Sequence, residues 1–432
     1  MNNGGVICWF RHDLRLDDNA AWTRAVALAR EHHTWLLPVV LTQALDLPLP
    51  WGPGPARGLR QQAWWHQARL ALRTQLQALG SDLVAVPSVD ALRQLALGVT
   101  AGHLVAEAIR APYEQEQVKR LNYNAPWDWH SLWQSTLVAP KDLPFAPEEV
   151  PRVFTSFRQK LEAAGVRSSE AQPAPQGGLP PMPDLPKPAW PDVRVPPHDR
   201  RSSVQADRNS GEAGARAHWQ ALLDQGLPKL YLETRNQLSG ANFSSQLSLD
   251  LATGALSARR AVSMLDDYEQ HHGRSKSSYW IWFELMWRDH FRWLHWRYGA
   301  TLYRARGLAE AAPRVSATPE DWQRWCQGET SAALVNAGMR ELLHTGYLSN
   351  RMRQIVASFW VNEMGGDWRA GAAWFQSQLL DEDVYSNQGN WAYIAGVGSD
   401  PRGGRRFDPD KQAAQHDPQG RYQRMWLTPC QP

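Results

Sequence analysis

The residues from 348 to 393 are of types and spacings that could hold a flat redox group. Asn350, Arg351 and Arg353 precede an apolar run, as at a helix start. Asn350 and Arg353 are three apart, so a helix would put them on one face. Asp381 and Asp383 lie two apart, so one can accept from a sugar or base while the other pairs with an arginine. Asn387 offers a donor and an acceptor to a heteroaromatic edge. Trp360, Trp368, Trp374 and Trp391 suit stacking and one-electron chemistry. A large aromatic redox cofactor would use all of these. A helix-rich core with an Asp-Asp surface loop and an N-cap Asn would use the same residue types.

Other constellations invite similar chemistry. Tyr231 and Arg235 come just before N-F-S-S-Q-L-S, residues 242–248. Ser244, Ser245 and Ser248 bring hydroxyls and successive backbone N–H groups into one loop, which can hold a pyrophosphate without glycine or be a plain serine turn. Trp280, Glu284, Trp287 and Arg288 fall within a few helical turns, with Glu284 and Trp287 on a shared face. A carboxylate beside an indole suits a base that stacks and donates; core tryptophans with an exposed Glu are the alternative. Residues 403–410 read as an arginine turn, for phosphate contact or for solvent. Glu114 follows the fourth apolar run, where open α/β sheets bind ligands, and could accept from a pterin-like ring or sit solvated at a helix start.

These groups need two kinds of scaffold. With 432 residues the chain exceeds one ordinary core, so two domains are expected. Apolar runs at 6–10, 36–41, 83–87 and 104–108 alternate with helical patterns at 19–31, 56–79 and 89–97. That alternation predicts a parallel, Rossmann-like sheet with right-handed crossovers. The turn after the first strand, R-H-D-L-R-L-D-D-N, lacks the glycines a dinucleotide fold requires there. Its Arg11, Asp13, Arg15 and Asp17 read as a salt-linked surface loop. Residues 173–197 hold ten prolines and predict an extended connection, followed by a loose polar stretch at 200–214. After 214 the spacing is helical at 215–225, 258–272, 278–298, 320–327, 332–344, 351–363 and 368–380, with Ser257 and Thr318 placed as N-caps. The expected division is an α/β domain at 1–135, a connection at 136–213 and a helical domain at 214–432.

Composition excludes several classes. Hydrophobic residues are 43% and charged residues 21%, a globular balance. No run approaches the roughly 18 apolar residues of a membrane span. The N-terminus lacks a basic signal region, and three cysteines are too few for a disulfide scaffold or metal cluster, so a reducing cytoplasm is expected. The net charge of +3 implies no acidic partner by itself, although seven lysines among 46 basic residues leave 39 arginines. Of the 23 tryptophans, twelve lie between Trp280 and Trp426.

W-F-R-H-D-L-R-L-D-D-N, T-R-N-Q-L-S-G-A-N-F-S-S-Q-L-S, F-E-L-M-W-R-D-H-F-R, T-G-Y-L-S-N-R-M-R-Q and D-V-Y-S-N-Q-G-N-W-A-Y resemble motifs of the photolyase/cryptochrome family, in that family's order. Gln354, Tyr393 and the ending F-D-P-D-K-Q-A-A-Q-H-D-P-Q-G are similar to its DASH cryptochrome branch. The resemblance implies an all-α FAD-binding domain. In it Ser244, Ser245, Gln246, Leu247 and Ser248 hold the phosphates with Arg288, and Tyr231 flanks them. Asn350, Arg353, Asp381 and Asp383 surround the ring and ribityl, and Asn387 faces the flavin N5. A folate antenna, methenyltetrahydrofolate, would sit on Glu114. The implied reaction is blue-light repair of cyclobutane pyrimidine dimers, preferentially in single-stranded DNA, by a monomer. Glu284 would bind the lesion with Trp287 and Tyr393 as its apolar walls, Gln354 would also belong to the DNA site, and Arg235 and Arg405 would contact phosphates.

The resemblance also implies electron transfer through Trp391 and Trp368. Val315 stands where the family has its distal Trp, so the exit falls to Trp325 or Trp322, or the electron-transfer chain is shorter. Thr330-Ser-Ala-Ala-Leu-Val-Asn-Ala337 departs from the family's T-G-x-P-x-V-D-A. A blue-light receptor acting through DNA or a partner without repair is the second implied function, and a flavoprotein that binds DNA without turnover is a third.

Overall fold

The computed structural model describes residues 4–185, 189–240, 243–400 and 403–428. The apolar runs of the first half become strands β1 Gly5–Phe10, β2 Leu36–Leu41, β3 Val84–Val86 and β4 Ala101–Glu107. A further strand, β5 Asp128–Leu132, pairs with β4 and has no counterpart in the expected elements. Its sequence D-W-H-S-L mixes exposed and half-buried residues, with none buried, as an edge strand does, so no continuous apolar run announces it. All strands are parallel in the order β3-β2-β1-β4-β5. Helices α1 Ala20–Glu31, α2 Leu59–Ala78, α3 Val89–Gly98 and α4 Pro112–Asn122 belong to the same half. The chain therefore reverses direction across the sheet between β1 and β4, whose carboxyl ends open on the same side.

The turn after β1 is not a surface loop. Arg11, Asp13, Arg15 and Asp17 are all at most 9% exposed, because this turn lies against the helical half. Arg15 donates to Gly254 O at 3.0 Å, Asp18 pairs with Arg259 at 3.0 Å and Asp17 pairs with Arg260 at 2.9 Å. Gly254 has φ +76°, and a Cβ there would lie 2.1 Å from His12 O, so the approach requires glycine.

The expected connection at 136–213 contains packed structure. Helix α5, Phe154–Ala163, buries Phe154, Phe157 and Leu161 in the helical core. Asp289 from that core accepts from Leu137 N at 2.7 Å and Val138 N at 3.0 Å. The proline-rich stretch lies along the sheet: Pro181 O accepts from Leu36 N at 2.9 Å, and Leu179 and Trp190 pack on one side while Met182 and Leu185 pack on the other. Nor is 200–214 detached, since Arg208 pairs with the fully buried Asp250.

Twelve α-helices follow among the described residues. They are α6 Glu212–Asp224, α7 Leu227–Thr234, α8 Leu247–Thr253, α9 Ala258–His272, α10 Lys276–Tyr298, α11 Pro319–Gln327, α12 Ala333–Thr345, α13 Asn350–Ser358, α14 Trp368–Gln378, α15 Val384–Ile394, α16 Pro409–His416 and α17 Arg421–Leu427. Ser257 and Thr318 cap α9 and α11 as expected. Ser349, not Asn350, caps α13, which continues into a π-helical turn, Phe359–Glu363. Asn336 accepts from Thr330 N at 2.8 Å and donates to Thr330 O at 2.9 Å, closing the departing loop at 330–337. Among the described residues no helix is long and apolar enough to cross a membrane.

Candidate functional site

Helical spacing delivers the site. On α10, Glu284, Trp287, Arg288 and Phe291 repeat at three or four residues and face one cavity of about 410 Å³. On α13, Asn350, Arg353, Gln354 and Ala357 do the same, as do Asn387, Trp391 and Ile394 on α15. Tyr231 and Arg235 add the end of α7, and residues 244–248 lead into α8. Asp381, Asp383 and Tyr393 also line it. Asn242, which opens the serine motif, lies outside the described residues.

The charges are organised by arginine. Arg353 donates to both oxygens of Asp381, at 2.9 and 2.8 Å. Asp383 caps α15 through Ser386 N at 2.7 Å and is paired with Arg292, which holds its carboxyl well below the usual range despite burial. Both carboxylates are thus engaged by arginine, where the sequence suggested that only one would be. Arg292 was not anticipated, although it lies one helical turn after Arg288. Arg288 donates to Ser135 O at 2.7 Å and Leu251 O at 3.3 Å. Burial, with Arg292 nearby, lowers its pKa to about 9, which still leaves it a cation at neutral pH and able to pair with an anion in the cavity.

Asn387 donates to Ala372 O at 2.9 Å, which leaves its carbonyl oxygen for the cavity. Gln354 Oε1 is buried with no hydrogen-bond partner among the described residues. Gln246, with φ +47°, borders the cavity while its side-chain amide donates to Ser203 O at 2.8 Å. These groups fit a dinucleotide cofactor: hydroxyls and N–H groups with Arg288 for phosphates, and Asn387 with Asp381 for a ring edge.

At the cavity mouth, Glu284 pairs with Arg235 at 2.7 Å and keeps 31% exposure. Arg235 also lies over the Trp280 ring at 4.5 Å. Burial raises the Glu284 pKa, and Arg235 opposes that shift. Trp287 stacks on Phe154 at 3.8 Å, so α5 covers one indole face, and Tyr393 meets it edge-on at 5.7 Å. Arg405 is outside the cavity lining; its Nε donates to Tyr393 OH at 2.8 Å and pairs with Asp400 at 2.8 Å.

The tryptophans divide into two sets. Trp391 borders the cavity, while Trp368 is buried on α14 with its N–H on Ala305 O at 3.0 Å. Trp325 is 0% exposed, so it cannot serve as an exit to solvent. The half-buried Trp322 is better placed, edge-on to Trp51 at 6.0 Å, and Trp51 is 42% exposed.

A second cavity, of about 500 Å³, opens at the carboxyl ends of β1 and β2. Arg11, His12, Arg57, Arg69, Glu114 and Glu382 line it. Glu114 is 5% exposed, not solvated, and its Oε2 has no partner among the described residues. Glu382, between the paired aspartates, borders both cavities, and burial pushes its pKa up to about 8. Arg57 and Glu382 gave no local sequence signal; only the packing of α2 against α14 brings them together.

The doubly wound sheet, the helical domain and the arginine-ordered cavity define a two-domain flavoprotein of photolyase type. Residues 6–177 match the family described as "DNA photolyase", and residues 280–431 match "FAD binding domain of DNA photolyase". The chain belongs to the photolyase/cryptochrome family. Within it the likeness is to the DASH cryptochromes: the Cryptochrome DASH of Idiomarina loihiensis is 35% identical over 96% of this chain and 91% of its own. A crystal structure of a Synechocystis cryptochrome has a TM-score of 0.88 at 33% identity, over 98% of this chain and 88% of that one. A bacterial class III photolyase from Agrobacterium tumefaciens has a TM-score of 0.77 at 27% identity, over 99% and 87%. Membership implies a light-driven function based on FAD.

Proposed function

We propose that this protein repairs cyclobutane pyrimidine dimers in DNA under blue light, with preference for single strands. The observation that carries the reading is Glu284 at the mouth of the cavity, between Trp287, Tyr393 and Arg235. A dimer inside a duplex is out of reach, so it must be extruded, and a single strand asks less unpairing energy. Trp287 and Tyr393 give the extruded dimer apolar walls, Gln354 offers it an unpartnered carbonyl oxygen, and Glu284 accepts from its bases. Arg235 and Arg405 contact flanking phosphates after leaving Glu284 and Asp400.

FAD, when bound, supplies the light-driven electron that splits the dimer. Ser244, Ser245, Gln246, Leu247, Ser248 and Arg288 hold its phosphates, and Tyr231 flanks them. Asn350, Arg353, Asp381 and Asp383 would orient its ring and ribityl, and Asn387 would offer its amide to the ring edge. Trp391 and Trp368 carry electrons toward it, with Trp322 as the outer station. In the second cavity, Glu114 anchors a folate antenna, and Glu114→Gln should lower folate retention while FAD stays bound.

The test is repair of one defined dimer in single-stranded and duplex oligonucleotides, under blue light and in the dark. Light-dependent repair, faster on the single strand, is expected. A flavin-loaded, reduced protein that repairs neither strand would refute the repair reading and leave the photoreceptor one.

A further inference from the structure

Behind Trp391 the packing continues inward. Trp391 lies edge-on to Trp325, with ring centroids 6.1 Å apart and planes at 80°. Trp325 in turn packs on Trp360 at 5.4 Å and 32°. All of these rings are at most 2% exposed. Trp360 lies on the π-helical turn Phe359–Glu363, a widened turn of the kind often found at functional sites. The Gly366 backbone lies against the Trp360 ring, where a Cβ would come within 2.0 Å of its atoms.

The indole N–H groups of the inner pair are sealed. Trp325 donates to Val356 O at 3.1 Å and Trp360 to Asp367 O at 2.8 Å. A backbone carbonyl accepts a hydrogen bond but is too weak a base to take the proton. An oxidised ring here keeps its proton and meets no water. Those are the conditions for holding a charge briefly and giving it back, not for passing it to solvent. Tunnelling falls steeply with separation between ring edges, so rings in contact exchange electrons readily.

We propose that Trp325 and Trp360 form a closed electron-transfer branch off Trp391, separate from the branch through Trp368. The inference rests on the flavin reading of the central cavity. One electron moves from Trp391 to the photoexcited oxidised flavin, Trp325 refills Trp391, and Trp360 refills Trp325. No bond is made or broken, and every Nε1 keeps its proton. The electron later returns along the same rings, so the cycle needs no outside reductant. The branch stores the hole, while net reduction runs through Trp368.

The experiment is flash photolysis of the FAD-loaded protein, following the absorption of oxidised tryptophan. In Trp368→Phe, a protonated tryptophan radical should persist and then decay back without net photoreduction. Adding Trp325→Phe should remove that persistent signal, and adding Trp360→Phe instead should shorten its life. Unchanged amplitude and lifetime in both double variants would overturn the branch. Should Trp325→Phe fail to fold, pulsed EPR on the wild type still decides: two populations of electron–hole separation are expected, and a single one refutes the branch. Trp391→Phe tests the underlying reading separately, since radicals that still form in it would mean that charge does not enter at Trp391.

Discussion

Glu284→Ala should separate recognition of damage from binding of DNA. The structure allows the fold's share to be estimated first. The Arg235–Glu284 pair, at 2.7 Å with 17 and 31% exposure, is partly solvated and contributes at most about 1 kcal/mol. Arg235 keeps its place over Trp280 without the carboxylate. Melting should therefore shift by only a few degrees. The contact to an extruded base is charge-assisted, about 1.5–3 kcal/mol, so affinity for a dimer-containing strand should fall roughly tenfold to a hundredfold. Affinity for an undamaged strand should not fall. Arg235 contacts a flanking phosphate in both proteins, so the salt dependence should also be kept. Titration of wild type and Glu284→Ala with matched damaged and undamaged oligonucleotides, at several salt concentrations, measures both effects. Equal loss on the two strands would refute the reasoning and make Glu284 a support of the fold; no loss on either would make it a spectator.

Asp383→Asn should be severe, because it strands the buried Arg292 charge; a loss of about 3–5 kcal/mol is expected, read as a drop in denaturant midpoint together with flavin content. Gly371→Ala puts a Cβ 2.2 Å from the Trp391 ring, so overpacking should cost about 1–3 kcal/mol and slow photoreduction, where helix propensity alone would predict a gain. Glu341 accepts from Tyr422, and burial raises its pKa to about 8. A raised carboxyl binds its proton more tightly in the folded state, so its contribution is complete below about 4.5 and is lost as pH rises to about 8, by up to about 1.4 kcal/mol per pH unit. Urea melts of Glu341→Gln should show a flatter decline from pH 5 to 8 than wild type.

Much of this was legible because it is periodic. The apolar runs of β1 to β4 and the three- and four-residue spacings on α10, α13 and α15 state which side chains share a face. Serine hydroxyls and paired aspartates are informative by chemistry alone. What escaped depends on partners remote in sequence. The turn at Arg11–Asp17 looks solvated until Arg259, Arg260 and Gly254 are seen to cover it. Arg292 is an ordinary helical arginine until Asp383 reaches it. Trp325 and Trp322 are equivalent by spacing, and only burial separates them. The strand β5 is hidden because an edge strand needs no apolar run.

The ion pairs that lock the turn after β1 onto α9 bear on how the protein could be cut or recombined. Cleaved at the proline-rich stretch, the helical half would expose Arg259 and Arg260 without their carboxylates, and the α/β half would carry Asp17 and Asp18 on a loop shaped for an absent surface. A chimera that joins either half to another partner must carry the matching arginines, aspartates and the glycine at 254 across the joint. The heritable unit is the seam, which helps to fix the mutual distance and orientation of the two cavities alongside the packing of α2 against α14.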